Sequence, residues 1–495
     1  MKKIITILFG VAILGFTSCE EWLDINNEPN SPSEKDLTPS LIFAGTELDL
    51  ANNYGNFFRI LGGYYAQHYA QSFGTSNYLD YSQFKTSSVR TNRPYEQMNT
   101  LTLNNLKSVR NLASASEDWG SYLAATVLRA VTFQILVDAY GETPYTEALD
   151  ISIPAPKYDD GQTVYNGILA ELDEALSKAS PSNTVCTNFL FGSGSTAAEW
   201  IKFANALKLK ILMRMSNTAD VQSKLAALIS ENNFPAGDVA WKDIWSNDPG
   251  KANPFYQEEF ASYFGSTQVN VVANIALMST MQASNDARIP YFFDKNSDGN
   301  YTGAVSGSNF STSSYAAAYW CRPAVKYNSP VFLITRSEIE FFLSEYSARY
   351  GSAADAEAHY KAAIEASFAT CGVSGADVIY NIYYKYNQAD YQRIIGTQKW
   401  IALAGINNFE AWCEMRRLKY PTFGTVSGDD LYNEATKVYS PDKYIVGTLY
   451  TPVQVNTSLG ANLVLQRFMY AESSKSRNSN APTYPGDKTP VFWAK

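Results

Sequence analysis

The chain holds 495 residues with a formal net charge of −9, of which 45% are hydrophobic and 18% charged. That balance excludes wholesale disorder and a bundle of membrane spans. The acidic surplus, with no Lys/Arg-rich run, excludes a nucleic-acid binder that tracks phosphates. Aromatic residues are frequent, with 34 Tyr, 26 Phe and 9 Trp making up 14% of the chain. Most such rings fill helix-packing cores, while a minority serve as flat contact surfaces that freeze few torsions on binding.

At the amino terminus, Lys2 and Lys3 precede an apolar run from Ile4 to Phe16, and Thr17-Ser18 supply small residues before Cys19. Residues 1–18 read as a cleaved targeting segment. The run is short of the roughly 20 residues that span a bilayer as a helix. Phe16-Thr17-Ser18-Cys19 resembles a bacterial lipobox, with Phe16 where leucine is usual, so Cys19 is expected to be acylated and to become the mature N-terminus. Several acyl chains on one residue give stable membrane attachment where one chain gives only marginal binding. Glu20-Glu21 resembles the export signal that sends Bacteroidetes lipoproteins to the cell surface.

Helix patterns dominate the remainder of the chain. Leu123, Val127, Ala130, Val131 and Ile135 recur at three- and four-residue steps from Asp118 to a stop at Gly141. A second helix opens at cap-capable Asp159, Asp160 and Thr163, carries Ile168, Leu169, Leu172 and Leu176 on one face, and closes before Pro181. A third carries Trp200, Phe203, Leu207, Ile211 and Met215, with SKLAALISEN behind it. Short connections imply antiparallel pairs. From about 247 to 328 the sequence turns Gly-, Ser- and Asn-rich and reads as an irregular insertion. Helices resume at RSEIEFFLSEYSARYG, where Ser337 and Glu340 have capping-box spacing and Ile339, Phe342, Leu343 and Tyr346 form the stripe. DAEAHYKAAIEASFATCG follows as its partner, a pairing that resembles one tetratricopeptide unit. QADYQRIIGTQKWIALA and NNFEAWCEMRRLKYP are two further helices before a Pro-, Asn- and Ser-rich tail.

Cys186, Cys321, Cys371 and Cys413 are widely and irregularly spaced, with neither a disulfide framework nor a CxxC metal pattern. Asp294, Asn296, Asp298 and Gly299 open like an EF-hand loop, but position twelve is Val305 instead of a bidentate Glu. An Asn/Asp/Gly turn without calcium is the preferred reading. Gly192 and Gly194 imitate a dinucleotide loop without the surrounding strand–helix alternation, and read as helix lead-in. Only two histidines occur, His68 and His359, and no HExxH, GxSxG or P-loop is present. A catalytic carboxylate pair is placed by the fold, not by spacing, so a surface glycosidase stands as the rival reading.

EEWLDIN, RAVTFQILVDAYGETPYTEAL, EWIKFANALKLKILMR, SEIEFFLSEYSARYG and TQKWIALAGINNFEAWCEMRRLKYP, in this order and spacing, resemble the SusD/RagB family of nutrient-binding outer-membrane lipoproteins over nearly the whole chain. The resemblance implies a mostly α fold: one domain over residues 19–495, with a scaffold of four tetratricopeptide-like helix pairs, inserted loops and minor β structure. It implies a surface-exposed, lipid-anchored protein, without cofactor or catalytic set, that captures oligosaccharides or peptides. The ligand then passes to a SusC-like TonB-dependent transporter, and a ligand-free structural lid is a further alternative. Family members hold sugars by ring stacking and by amide and carboxylate hydrogen bonds. By their position in loops, the candidate ring platforms here are Tyr78 and Tyr81, and Tyr315, Tyr319 and Trp320, with Asn77, Asp80 and Arg322 as polar partners.

Overall fold

The computed structural model describes residues 37–261, 269–308 and 315–495. The targeting segment and Cys19 lie outside the described residues. Helix α1 (Pro39–Asn53) starts at Thr38, whose hydroxyl accepts the Leu41 N–H with Pro39 in the first turn. A π-turn, Tyr54–Phe58, joins it to α2 (Arg59–Tyr65). Strand β1 (Tyr69–Gln71) and the short α3 (Leu79–Ser82) follow. Helix α4 (Asn92–Gln97) then runs through a second π-turn, Met98–Leu103, into α5 (Asn104–Ala115).

Helix α6 (Trp119–Tyr140) is capped by the Asp118 carboxylate, which accepts from the Ser121 N–H, and ends at Gly141, whose φ of 90° only glycine adopts without strain. Its length and composition would let it cross a membrane, yet it is wholly buried. A helix apolar all round belongs at the centre of a large core. Helix α7 (Gly161–Lys178) is capped by Asp160, as its sequence predicts, and α8 (Ala197–Met215) and α9 (Gln222–Glu231) follow.

Between residues 247 and 328 the expected irregularity is interrupted. A third π-turn occupies Gln257–Ala261, and α10 (Ile275–Ala283) is buried on most of its surface. Strand β2 (Val239–Trp241) pairs antiparallel with β4 (Val331–Ile334), and β1 with β3 (Val271–Ala273), Tyr69 facing Ala273. The β1–β3 ladder ties the segment to the strand that follows α2, and the β2–β4 ladder pairs the chain just before the segment with the chain just after it, which composition alone does not disclose.

Helices α11 (Arg336–Tyr350) and α12 (Ala353–Thr370) form the clearest hairpin. The Ser337 hydroxyl donates to the Ala363 carbonyl and Ser344 to Ala356, so the pair is antiparallel. The α11 cap differs from the one the sequence suggests. Thr335 and Glu338 make the reciprocal capping box, and Ser337 is spent on the neighbouring helix. Helices α13 (Tyr391–Ala402) and α14 (Asn408–Leu418) complete a scaffold in which α6 packs on α7, α8 on α9, α11 on α12 and α13 on α14. The fold is mostly α, with two- to four-residue strands.

A buried ionic network joins these pairs. Arg214 of α8 is paired to Asp138 of α6 at 2.6 Å and to Glu410 and Glu414 of α14. Lys399 of α13 meets Glu414 at 2.8 Å, and Arg417 bridges Glu414 and Glu345 of α11. Asp138 also accepts from the Trp493 indole at 2.7 Å, which ties the chain's last residues to the centre. Asp138, Glu410 and Cys413 have ligand-like proximity, but the chain's own cations already occupy the carboxylates, Arg214 meeting both and Lys210 meeting Glu410. All four described cysteines are free, and burial raises the Cys413 thiol to about 11 and that of Cys371 to about 12.

Candidate functional site

A cleft of about 820 Å³ opens between α1, α2, the α3–α4 loop and residues 244–258. Its volume lies in the range of small-molecule sites. Two of the four π-turns among the described residues supply its wall, Tyr54–Phe58 giving Asn56 and Phe57 and Gln257–Ala261 giving Gln257 and Glu258, while Ile379–Tyr383 lies away from it. Met98–Leu103 begins directly after lining residue Gln97. A π-turn carries one surplus residue within a helix, which re-aims side chains, and such turns recur at functional sites. The Asn56 carboxamide oxygen on this wall is buried without a hydrogen-bond partner among the described residues. A lone buried acceptor costs about 1 to 3 kcal/mol until a donor reaches it.

Tyr78 and Tyr81 border the cleft but are themselves mostly buried, 7% and 4% exposed, stacked on each other at 5.8 Å and 13° and packed against Tyr64. The Arg90 guanidinium lies 5.6 Å from the Tyr81 ring centre and donates to the Asn77 carbonyl at 3.3 Å. Trp245, a half-buried lining residue, is fixed by its indole N–H donating to the Trp241 carbonyl at 3.2 Å. Asp49 and Glu258 are the carboxylates lining the cleft, and burial raises Asp49 above the usual range. Behind Tyr78 lies Glu259, 1% exposed and lifted by burial to about 7.

The residues expected from sequence are divided by the fold. Tyr78 and Tyr81 line this cleft, with Asn77 behind the arginine, whereas exposed Asp80 faces a separate polar groove with Lys85 and Asn456. Arg322 stacks 4.1 Å over Phe260 and donates to the Glu259 carbonyl, bracing the back wall. Trp320 is only 2% exposed, so as a ring platform it is displaced into the core. It is enclosed by Phe73 at 4.9 Å, Tyr319 at 4.8 Å, Tyr439 at 5.4 Å and stacked Tyr315 at 6.1 Å. Tyr315 and Tyr319 are half-buried around it and do not reach the cleft. Asn56, Gln97, Arg93 and Trp245 were not foreseen. Trp245 carried a signal, standing at the edge of an Asn/Asp/Pro/Gly cluster.

The other candidates resolve locally. Asn296 uses its carboxamide oxygen on the Asp298 and Asn300 N–H groups and its amide on the Tyr319 carbonyl, which makes a turn, and exposed Asp294 and Asp298 are not drawn together on it. His68 is fully buried beside Asn408, with burial lowering it to about 4, and His359 pairs with Glu340 on the α11–α12 face.

Residues 29–440 match the family model described as starch-binding and associating with the outer membrane. The chain belongs to the SusD-like family. A SusD homologue from Bacteroides uniformis shares 20% identity, with 91% of this chain and 99% of that chain covered and a TM-score of 0.72. A chitin-binding SusD homologue from Flavobacterium johnsoniae gives 18%, 91%, 99% and 0.69 in the same terms. A Bacteroidetes SusD-like structure gives 19%, 93%, 100% and 0.72. Comparison with curated proteins finds no match. At these identities the SusD-like structures establish the fold, and the cleft residues must be argued from this chain.

Proposed function

We propose that this SusD-like protein binds an oligosaccharide in the cleft bounded by Tyr78, Tyr81 and Trp245 and does not cut it. The observation that carries the reading is the lining itself, in which Tyr78, Tyr81 and Trp245 occur together with Asn52, Asn56, Gln97, Arg90 and Arg93. Sugars present apolar C–H faces to rings and hydroxyls to amides, and Asn56 supplies an acceptor that no donor among the described residues satisfies. The family description and the chitin-binding relative support carbohydrate over peptide as the ligand class.

In the finer reading, Cys19 is acylated and holds the protein on the outer face of the outer membrane. The cleft then loads a SusC-like TonB-dependent transporter. The family's outer-membrane association supports this placement.

Isothermal titration against starch-derived, chitin-derived and peptide ligands tests the proposal. One glycan class should bind and be recovered uncut, and Trp245→Ala should weaken it about tenfold or more with an unchanged melting temperature. Recovery of shortened glycan would replace binding by hydrolysis, with Asp49 and Glu258 as the carboxylates to mutate. Silence across the panel would leave a structural lid.

A further inference from the structure

A second hollow, of about 490 Å³, lies at the carboxyl end of α14 and shares no lining residue with the cleft. Its walls are apolar, from Met415, Pro421, Phe423, Leu449, Leu463 and Val464. Four basic residues, Arg416, Lys419, Lys488 and Lys495, also line it, and no acidic side chain does. In a chain of net charge −9 this concentration of one sign stands out.

Two of the cations donate to backbone carbonyls in place of a carboxylate. Arg416 is fully buried between Trp412 and Trp493, at 3.5 and 4.8 Å from their ring centres, and donates to the Gln466 carbonyl at 2.7 Å and the Asp138 carbonyl at 2.9 Å. Lys419 holds the left-handed position that ends α14 and donates to the Ala494 carbonyl at 2.6 Å. Partial burial of its ammonium, with Arg416 close by, lowers it. Elsewhere in the core the buried bases Lys210, Arg214, Lys399 and Arg417 meet carboxylates, as a buried charge requires. The carboxyl end of a helix favours cations, and that accounts for Arg416 and Lys419. It does not account for Lys488, which the tail brings to the same rim, or for the hydrophobic walls.

We propose that this hollow binds a medium-chain aliphatic carboxylate, its anion set between Lys419 and Lys488 and its hydrocarbon against Phe423, Leu449 and Leu463. Charge complementarity selects the head group, and the apolar lining selects the tail. The site is independent of the glycan cleft.

Titration calorimetry of the full chain with sodium octanoate tests this, with 1-octanol and 4-phenylbutyrate alongside. Octanoate should bind one site, and octanol about tenfold or more weaker, because it lacks the charge. Lys488→Gln should cost about tenfold and Leu463→Asp should abolish binding, both with an unchanged melting temperature, since Lys488 is exposed and Leu463 is 40% exposed. Trp245→Ala should leave octanoate binding intact, which separates this site from the cleft. The proposal is overturned by no heat with octanoate, by equal affinity for octanol, by wild-type affinity in Lys488→Gln, or by loss of octanoate binding in Trp245→Ala. Tighter binding of phenylbutyrate would overturn the aliphatic assignment.

Discussion

Neutralising Glu414 is the sharpest test of the ionic centre. Its carboxylate meets Lys399 at 2.8 Å, Arg417 at 2.6 Å and Arg214 at 3.2 Å, in a site withdrawn from water. In Glu414→Gln, Arg214 keeps Asp138 and Glu410 and Arg417 keeps Glu345, but Lys399 loses its carboxylate partner. Stranding a buried charge costs about 3 to 5 kcal/mol. At roughly 2 cal/mol/K of unfolding entropy per residue, a chain this long loses about 1 °C of Tm per kcal/mol, so Tm should fall by about 3 to 5 °C. Burial already lowers Lys399 to about 8 with its partner present. Without Glu414 it falls further, so the native state binds fewer protons than the unfolded chain and stability rises with pH. The deficit relative to wild type should therefore be larger at pH 6 than at pH 9. Adding Lys399→Met removes the stranded charge and should restore part of the loss. Guanidinium melts of the single and double variants provide the assay. A loss under about 1 kcal/mol, or no recovery in the double variant, would show that Lys399 is solvated some other way.

Three further outcomes are expected. Trp320→Ala should lower stability by about 3 to 5 kcal/mol and leave glycan affinity near wild type, checked by melting and titration together, because the ring is core. Glu47 accepts from the Phe189 and Leu190 N–H groups and the Trp241 indole, yet burial lifts it to about 7. Its folded-state value exceeds the unfolded one, so its contribution is present below pH 4.5 and lost as pH rises through about 7. Glu47→Gln should accordingly gain on wild type between pH 5 and pH 8 in denaturant melts. Cys19→Ala should abolish labelling by a palmitate analogue, and retained label would place the acyl group elsewhere.

The scaffold was legible in the sequence where its chemistry is local. Asp118 and Gly141 bracket α6, and Asp160 caps α7, because caps and breakers act within a turn. The α11 cap was misplaced by two residues, since Thr335 and Ser337 both offer hydroxyls and only the neighbouring α12 decides which one is free. Lys399, Glu414 and Arg417 look like a solvated face until Arg214 and Glu345 arrive from other helices. The site was half legible. Tyr78 and Tyr81 announce themselves in a polar loop, but Asn56 lies in a π-turn between two helices, a feature set by backbone hydrogen bonding that no residue type marks. Trp320 reads as a loop residue because nothing near it in sequence reveals Phe73 and Tyr439.

The π-turns bordering the cleft give it a freedom the ionic centre lacks. The first two hold a single supernumerary residue between ordinary helical turns, so losing or gaining one codon there swings the neighbouring lining by about a third of a revolution while the flanking helices keep their seats. Descendants of this chain could thus re-cut the cavity to a new ligand by slippage at two places, leaving untouched the charged knot that holds the helix pairs together.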